Sequence, residues 1–420
     1  MPAAERVLEP LRRVALVTHS FNTGGGVPTV ARWLRVALES SGGYLVDVHD
    51  LATDSRDASS RRLVAPRSWA RASLLDHPPG SSVFHWGANA VEVEPMRYRS
   101  RRELGKTLET YDLIQVVAGI PAWASAVTGL HVPVALQVAT LASWERPSQL
   151  AGQAWPSRTW RTAMTGLTSR VERSALRNVG TVLVENTAMA QRVRSIGQDS
   201  VVMAPPGVDT CRFCPSPSGW KRDGYLLSVC RLNEPRKGLE RMIRAVAEML
   251  RISSSTPVLV LAGRGQILPS IARLIAELDL SEKVVIESGV TPADLADLYR
   301  GASVYLQTSH EEGLGMSALE AMSCGLPVVA TATSGACEFV VNGETGWLVP
   351  QTPPEEVPRR MADCALSLIE GDGSAVGARC RDLIVSRFST AVALERFIRV
   401  HDGLLGVSHR AAPVGRVAAT

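Results

Sequence analysis

The segment Ser309-His-Glu-Glu-Gly-Leu-Gly315, continuing through Met316-Ser-Ala-Leu-Glu-Ala-Met-Ser-Cys-Gly-Leu-Pro327, carries residue types suited to a phosphorylated, hydroxyl-rich ligand. An apolar run predicts a strand ending at Gln307, and a glycine-punctuated loop then exposes Glu312 before a helix that begins close to Gly315. Free N–H groups at a helix start, with the positive end of its dipole, form an anion site that suits phosphate. Glu320 follows two turns further on, while Met316, Leu319 and Met322 take the packing face. Carboxylates beside a phosphate site cannot serve the phosphate, but they can accept hydrogen bonds from sugar hydroxyls on either side of it. Upstream, Ser228-Val-Cys-Arg231 ends another strand and Arg236-Lys237-Gly238 opens the next helix. Cations at a helix start are locally unfavourable unless an anion is present, which weakens a purely solvent-facing reading of that pair.

The elements that must position these residues repeat as strand and helix. In the second half, strands predicted at 225–229, 258–261, 284–286, 304–306 and 328–331 alternate with helical patterns. One of these helices buries Leu239, Met242, Ile243, Val246, Met249 and Leu250. Such alternation predicts a parallel sheet with ligands at the carboxyl ends of its strands. The first half opens with the strand 14–17, the run Gly24-Gly25-Gly26 and a helix with Val30, Leu34, Ala37 and Leu38 on one face. Further apolar runs stand at 44–48, 113–117, 132–138 and 181–184, whereas 52–82 reads as a long loop. A chain of 420 residues exceeds one compact domain, so the expectation is α/β with two domains. An N-terminal Rossmann-like unit over 1–212 would be followed by a second over 213–390. A C-terminal helix in 391–420 would pack back toward the first unit before a frayed tail.

Composition bounds the alternatives. A net charge of +4 without a long basic block argues against nucleic acid as a partner. Arg97, Arg99, Arg101 and Arg102 form a local basic run, read as a solvated face, with an anionic acceptor or lipid surface as the other option. No secretory leader and no membrane span are legible, and seven scattered cysteines fit a reducing cytoplasm better than a disulfide framework. Cys211 and Cys214 form a lone C-x-x-C, a weak zinc signal, and no other cluster has metal-ligand spacing, so no metal and no cofactor are expected. A nicotinamide site is disfavoured because no G-x-G-x-x-G follows the first strand.

The Glu312 and Glu320 segment resembles the E-x7-E signature of retaining glycosyltransferase family four, and Ser334-Gly-Ala-Cys-Glu338 with the 342–349 run continues the pattern. The resemblance implies the GT-B fold, two Rossmann-like domains facing across a deep cleft, and a nucleotide diphosphate sugar donor. It places Glu312 on a donor-sugar hydroxyl, Glu320 on the ribose, and Arg231 and Lys237 on the diphosphate. Gly313, Leu314 and Gly315 would complete the donor loop, and Gly25 and Gly26 would bring backbone to the phosphate from across the cleft, although a plain turn competes for the glycine run. Pro205-Pro-Gly-Val-Asp209 resembles the segment entering the linker, with Asp209 fixing a turn.

One position departs from the family. Ala139 falls where many relatives carry a His after the strand that follows Val132-Pro133. Thr140 or Glu145 could fill the space, His19 is a cleft candidate with a structural role competing, and His310 neighbours the acidic loop. Trp86, Trp123 and Trp144 could face a ring-shaped acceptor or pack in the core. The resulting expectation is retaining transfer of a hexose or N-acetylhexosamine, from a UDP-sugar foremost, to a small acceptor such as a bacterial specialised metabolite. Same-face attack, assisted by the leaving diphosphate, is the favoured mechanism. An epimerase or hydrolase on the same fold, and a non-catalytic nucleotide-sugar binder, stay open as rivals.

Overall fold

A computed structural model describes residues 11–23, 25–70, 73–150, 157–291 and 293–407. Gly24 of the glycine run and the tail from Arg410 lie outside the described residues. Two sheets form, each fed by helices. The first comprises β1 (Arg12–His19), β2 (Tyr44–Leu51), β3 (Leu75–Asp76), β4 (Val83–Trp86), β5 (Leu113–Ala118), β6 (Val134–Val138), β7 (Thr181–Val184) and β8 (Val201–Met203). Their order is β3-β4-β2-β1-β5-β6-β7-β8, parallel throughout except where the two-residue β3 pairs antiparallel with β4. The second sheet takes β9 (Tyr225–Arg231), β10 (Leu259–Arg264), β11 (Val284–Ser288), β12 (Ala302–Gln307), β13 (Val328–Thr331) and β14 (Gly346–Val349), ordered β11-β10-β9-β12-β13-β14.

The strand order explains where a ligand could sit. In each sheet the chain winds outward from one central strand and then jumps to its other side. That leaves a crevice at the carboxyl ends of β1 and β5 in one sheet and of β9 and β12 in the other. Central strands are covered on both faces, so they read as continuous apolar runs; every residue of β5, β6 and β12 is buried. The helix Leu239–Ile252 keeps its apolar residues on one face and buries Met242, Ile243, Val246 and Met249 against β9 and β10. Each such side chain contributes about 1.5–3 kcal/mol of transfer free energy.

The loop predicted over 52–82 is mostly irregular but not free of the core. Ala52 and Ser60 are buried, and Ser60 Oγ accepts the Ala88 N–H at 2.8 Å. The basic run also departs from the solvated-face reading. Arg99 and Arg102 are exposed, yet Arg101 is buried and gives Nη2 to the Arg97 carbonyl at 3.0 Å.

The chain crosses between the halves twice, and the two crossings lie side by side. The Val208 N–H donates to the Phe388 carbonyl at 2.8 Å, and Thr390 N–H to the Val208 carbonyl at 2.9 Å. Asp209 Oδ1 then accepts the N–H groups of Cys211 and Arg212 at 3.0 and 3.1 Å, the turn-fixing role expected of it. After the second crossing, the helix Thr390–Leu405 returns to the first sheet. Leu394, Phe397 and Ile398 join the core beneath β1, Arg12 pairs with Asp402 at 2.6 Å, and His401 bonds Gln115 at 2.8 Å. No helix among the described residues is long and apolar enough to cross a membrane.

Candidate active site

The acidic loop Glu311–Gly315 leaves the carboxyl end of β12 and enters the helix Met316–Ser323. Gly315 sits at φ +99°, a conformation that side-chain-bearing residues resist, and this turns the chain into the helix. The helix stops because Gly325 adopts the left-handed conformation at φ +76° and Pro327 leads into β13. Leu314 turns into the core beside Ala318 and Leu319, so this residue offers the cleft its backbone rather than its side chain.

Cations reach the loop from the turn after β9. Lys237 Nζ donates to Glu312 Oε2 at 2.5 Å, and Ser309 Oγ supports the same oxygen at 3.2 Å. Arg236 bridges Glu311 at 3.0 Å and Glu234, while Arg231 approaches Glu234 at 3.5 Å with half of its side chain exposed. Burial pushes the Glu312 carboxyl up, but Lys237 and Arg236 together outweigh burial and hold it below the usual carboxylate range. Glu312 is therefore an anion at neutral pH, placed to accept hydrogen bonds.

Gly238 explains the close approach of the two segments. A Cβ on it would stand 2.2 Å from the Thr308 carbonyl oxygen, and its φ is +64°. Glu320 lies on the next helix, where Tyr299 donates its hydroxyl at 2.9 Å; burial pushes the Glu320 carboxyl up to about 7.

The other half closes over this loop. Asn186 Nδ2 donates to the Gly313 carbonyl at 2.7 Å, Thr140 Oγ1 to Glu311 Oε1 at 3.0 Å, and the Thr187 N–H to Glu338 Oε1 at 2.5 Å. A Cβ on Gly313 would meet the Ala139 carbonyl oxygen at 2.5 Å, so only glycine permits this contact. Gly25, at φ +141°, starts the helix Gly26–Ser40; a Cβ there would lie 3.3 Å from Arg231 Nη2, whereas Gly26 faces open space.

The structure thus gathers Gly25, Arg231, Lys237, Glu312 and Gly313 at the facing strand ends. Among the weaker candidates, Thr140 reaches the acidic loop. His19 stacks on Trp123 at 4.7 Å, and neither of its buried ring nitrogens has a partner among the described residues. Burial pushes His19 down to about 4, so it is neutral. Glu145 lies half-buried in the helix Ala142–Leu150, His310 is exposed, and His131 is exposed as expected. Trp86 is a core residue bonded to His49 at 3.1 Å, and Trp123 and Trp144 belong to the same core.

Sequence reasoning missed Glu311, Glu185 and Asn186. The last two follow directly on the fully buried β7, and polar residues just beyond such a strand sit at the ligand edge of a doubly wound sheet. That signal was available in the residue types alone. Among the described residues, no group of three or more His, Cys, Asp or Glu could hold a metal ion, and all seven cysteines are free.

Residues 216–366 match the family described as Glycosyl transferases group 1. A D-inositol 3-phosphate glycosyltransferase from Kineococcus radiotolerans is 36% identical over 227 residues, 47% of this chain and 51% of that protein. A GDP-mannose-dependent alpha-(1-6)-phosphatidylinositol monomannoside mannosyltransferase from Mycolicibacterium smegmatis is 34% identical over 215 residues, 46% of this chain and 56% of that protein. The chain thus spans about half the length of these two relatives. A D-inositol 3-phosphate glycosyltransferase from Segniliparus rotundus aligns over 96% of this chain and 90% of its own length at 26% identity. Among solved structures, sucrose-phosphate synthase from Thermosynechococcus elongatus superposes with a TM-score of 0.68 at 20% identity, covering 94% of this chain and 100% of that one. Anabaena HepE in complex with UDP and glucose superposes at 0.65 and 17% identity, covering 93% and 99%. The superpositions establish the GT-B fold, and residues 216–366, which include the acidic loop, are similar to the group 1 glycosyltransferases.

Proposed function

We propose that this protein is a retaining glycosyltransferase that moves a hexose or N-acetylhexosamine from a nucleotide diphosphate sugar to a hydroxyl of a small acceptor. The second sheet would hold the donor and the first the acceptor. The observation that carries this reading is the Lys237–Glu312 pair at 2.5 Å, closed over by Gly313 against Ala139. A diphosphate and the sugar attached to it need a cation and a hydrogen-bond acceptor side by side, and this pair supplies both.

Arg231 and Lys237 would take the charge that develops on the departing nucleoside diphosphate, with the N–H groups at the start of the helix Met316–Ser323. Glu312 would accept from a sugar hydroxyl and Glu320 from the ribose. Closure of the halves excludes water, which favours transfer over hydrolysis. With both glutamates given to recognition, the acceptor hydroxyl would attack on the face the diphosphate leaves, and a diphosphate oxygen would take its proton.

Uridine is the favoured base, in line with the UDP in Anabaena HepE, while the name of the mycobacterial relative specifies GDP-mannose. An inositol-type acceptor gains support from the names of several relatives and stands beside a specialised metabolite as the class to screen. The test is incubation with UDP- and GDP-sugars, with and without candidate acceptors, followed by the anomeric configuration of the product. Transfer with retention supports the proposal. Inversion, or turnover that is indifferent to acceptor, would replace it with another reaction on the same fold.

A further inference from the structure

The first sheet presents one acid to the donor loop, and its surroundings differ from those of a structural carboxylate. Glu185 stands directly after β7 with 7% of its surface exposed. Enclosing a carboxyl is costly unless its oxygens are bonded. Only Oε1 is served, by Gln137 Nε2 at 3.3 Å. Oε2 lies 3.5 Å from the point where a Cβ of Gly313 would stand, beside the Ala139 carbonyl, and accepts no hydrogen bond among the described residues.

Its neighbour shows what a structural role looks like here. Asn186 Oδ1 accepts the Met189 N–H at 2.7 Å, capping the helix Thr187–Ser195, and its Nδ2 donates to the Gly313 carbonyl. Buried Glu172 is likewise committed, accepting the Ala142 N–H at 2.9 Å at the start of a helix. Among the described residues, Glu185 caps no helix and pairs with no cation. Burial pushes its carboxyl up to about 7, with Glu311 and Glu312 adding to the effect against the bond from Gln137. Near neutral pH it can therefore donate as well as accept, and a hydroxyl can take either bond.

The alanine at 139 completes the picture. Its carbonyl oxygen and Glu185 Oε2 both border Gly313, 2.5 and 3.5 Å from the point where a Cβ of that glycine would stand. The geometry points to Glu185 as a further substrate-contacting residue, bonding from the first sheet a hydroxyl of the transferred sugar that Glu312 holds from the second. This inference rests on the proposed function and adds to it the group that contacts the sugar where Ala139 cannot.

Titration calorimetry with a free nucleoside diphosphate and with the matching nucleotide sugar tests it without requiring turnover. Glu185→Ala and Glu185→Asp, the latter retracting the acid by one methylene, should weaken the nucleotide sugar about tenfold and leave the free diphosphate within about twofold. Glu185→Gln, which keeps both a donor and an acceptor in place, should recover most of the affinity. Equal losses for both ligands would make Glu185 a support for the loop and overturn the inference. So would an unchanged ratio in Glu185→Asp, which keeps the inference falsifiable should the alanine variant not fold. Wild-type protein that binds neither ligand would instead remove the proposed function, and this contact with it.

Discussion

The two faces of the cleft are built on opposite plans. On the second-sheet side, charges are satisfied by one another: Lys237 with Glu312, and Arg236 with Glu311 and Glu234. Two polar atoms there, Glu234 Oε2 and Gln307 Nε2, are buried without hydrogen-bond partners among the described residues, and on the first-sheet side ion pairing gives way to polar groups of which several are unmatched. Both ring nitrogens of His19 and Oε1 of Gln137 are buried without partners among the described residues, and Glu185 is half-served. A pre-paired face holds its geometry before a ligand arrives, so little reorganisation is needed when charge develops on a leaving group. An under-satisfied face keeps bonding capacity in reserve for a ligand that supplies hydroxyls. Under the proposed function, that reserve would serve hydroxyls of the transferred sugar and of the acceptor.

The comparison can be broken most severely at the paired face. Arg231→Ala and Lys237→Ala should each lower transfer by about 10²–10³, the scale of losing one transition-state donor. The double variant should fall well short of the product of the two losses, since both act on one diphosphate. Steady-state kinetics showing only a higher acceptor KM would remove that role.

Closure between the faces comes next. Gly313→Ala places a methyl 2.5 Å from the Ala139 carbonyl, so the halves must part there. Transfer should drop by about two orders of magnitude, consistent with an ångström-scale misplacement, while free nucleoside diphosphate still binds. Kinetics at wild-type level would show that this contact is dispensable.

A smaller effect is expected at Glu320. With its carboxyl near 7, nucleotide affinity should rise with pH between about 6 and 8, because only the ionised form accepts strongly from a ribose hydroxyl. Glu320→Gln should flatten that rise and weaken binding about fivefold to tenfold. Unchanged affinity in calorimetry would end the ribose assignment.

The smallest effect concerns stability at the first-sheet face. Because the folded-state pKa of Glu185 is raised, the folded protein binds more protons than the unfolded one between the usual 4.5 and about 7. Its contribution to stability therefore declines as pH rises through that window. Glu185→Gln should raise Tm by about 2–4 °C at pH 8 and hardly at all at pH 4. Thermal scans that coincide at both values would indicate that the acid is well solvated.

Legibility followed the same division. The second half declared itself because its working residues are close in sequence and tied to strand ends: Arg231 to Lys237 after β9, and Glu312 to Glu320 after β12. Local pattern fixes such elements, and glycine requirements at 238, 313 and 315 mark the close approaches. The first half assembles its cleft from His19, Ala139, Thr140 and Glu185, which lie far apart in the chain and meet only through the order of β1, β5, β6 and β7. Nothing in the spacing reveals that Gly313 would press on Ala139. Nor could it show Arg101 folding inward while Arg99 and Arg102 stay exposed, because four closely spaced arginines read alike until the surrounding packing is known.

In the proposed function Glu312 holds the sugar while other groups hold the nucleotide. Calorimetric titration of Glu312→Ala with free nucleoside diphosphate, alongside its transfer rate, separates the two most directly. A hydrogen bond to a charged partner is worth about 1.5–3 kcal/mol, so transfer should fall tenfold to a hundredfold. The affinity for the free diphosphate should stay within about threefold of wild type, allowing for the released Lys237. If affinity and transfer fall in equal proportion, Glu312 serves to hold Lys237 and the loop in place, and the division of the donor site between sugar and nucleotide is wrong.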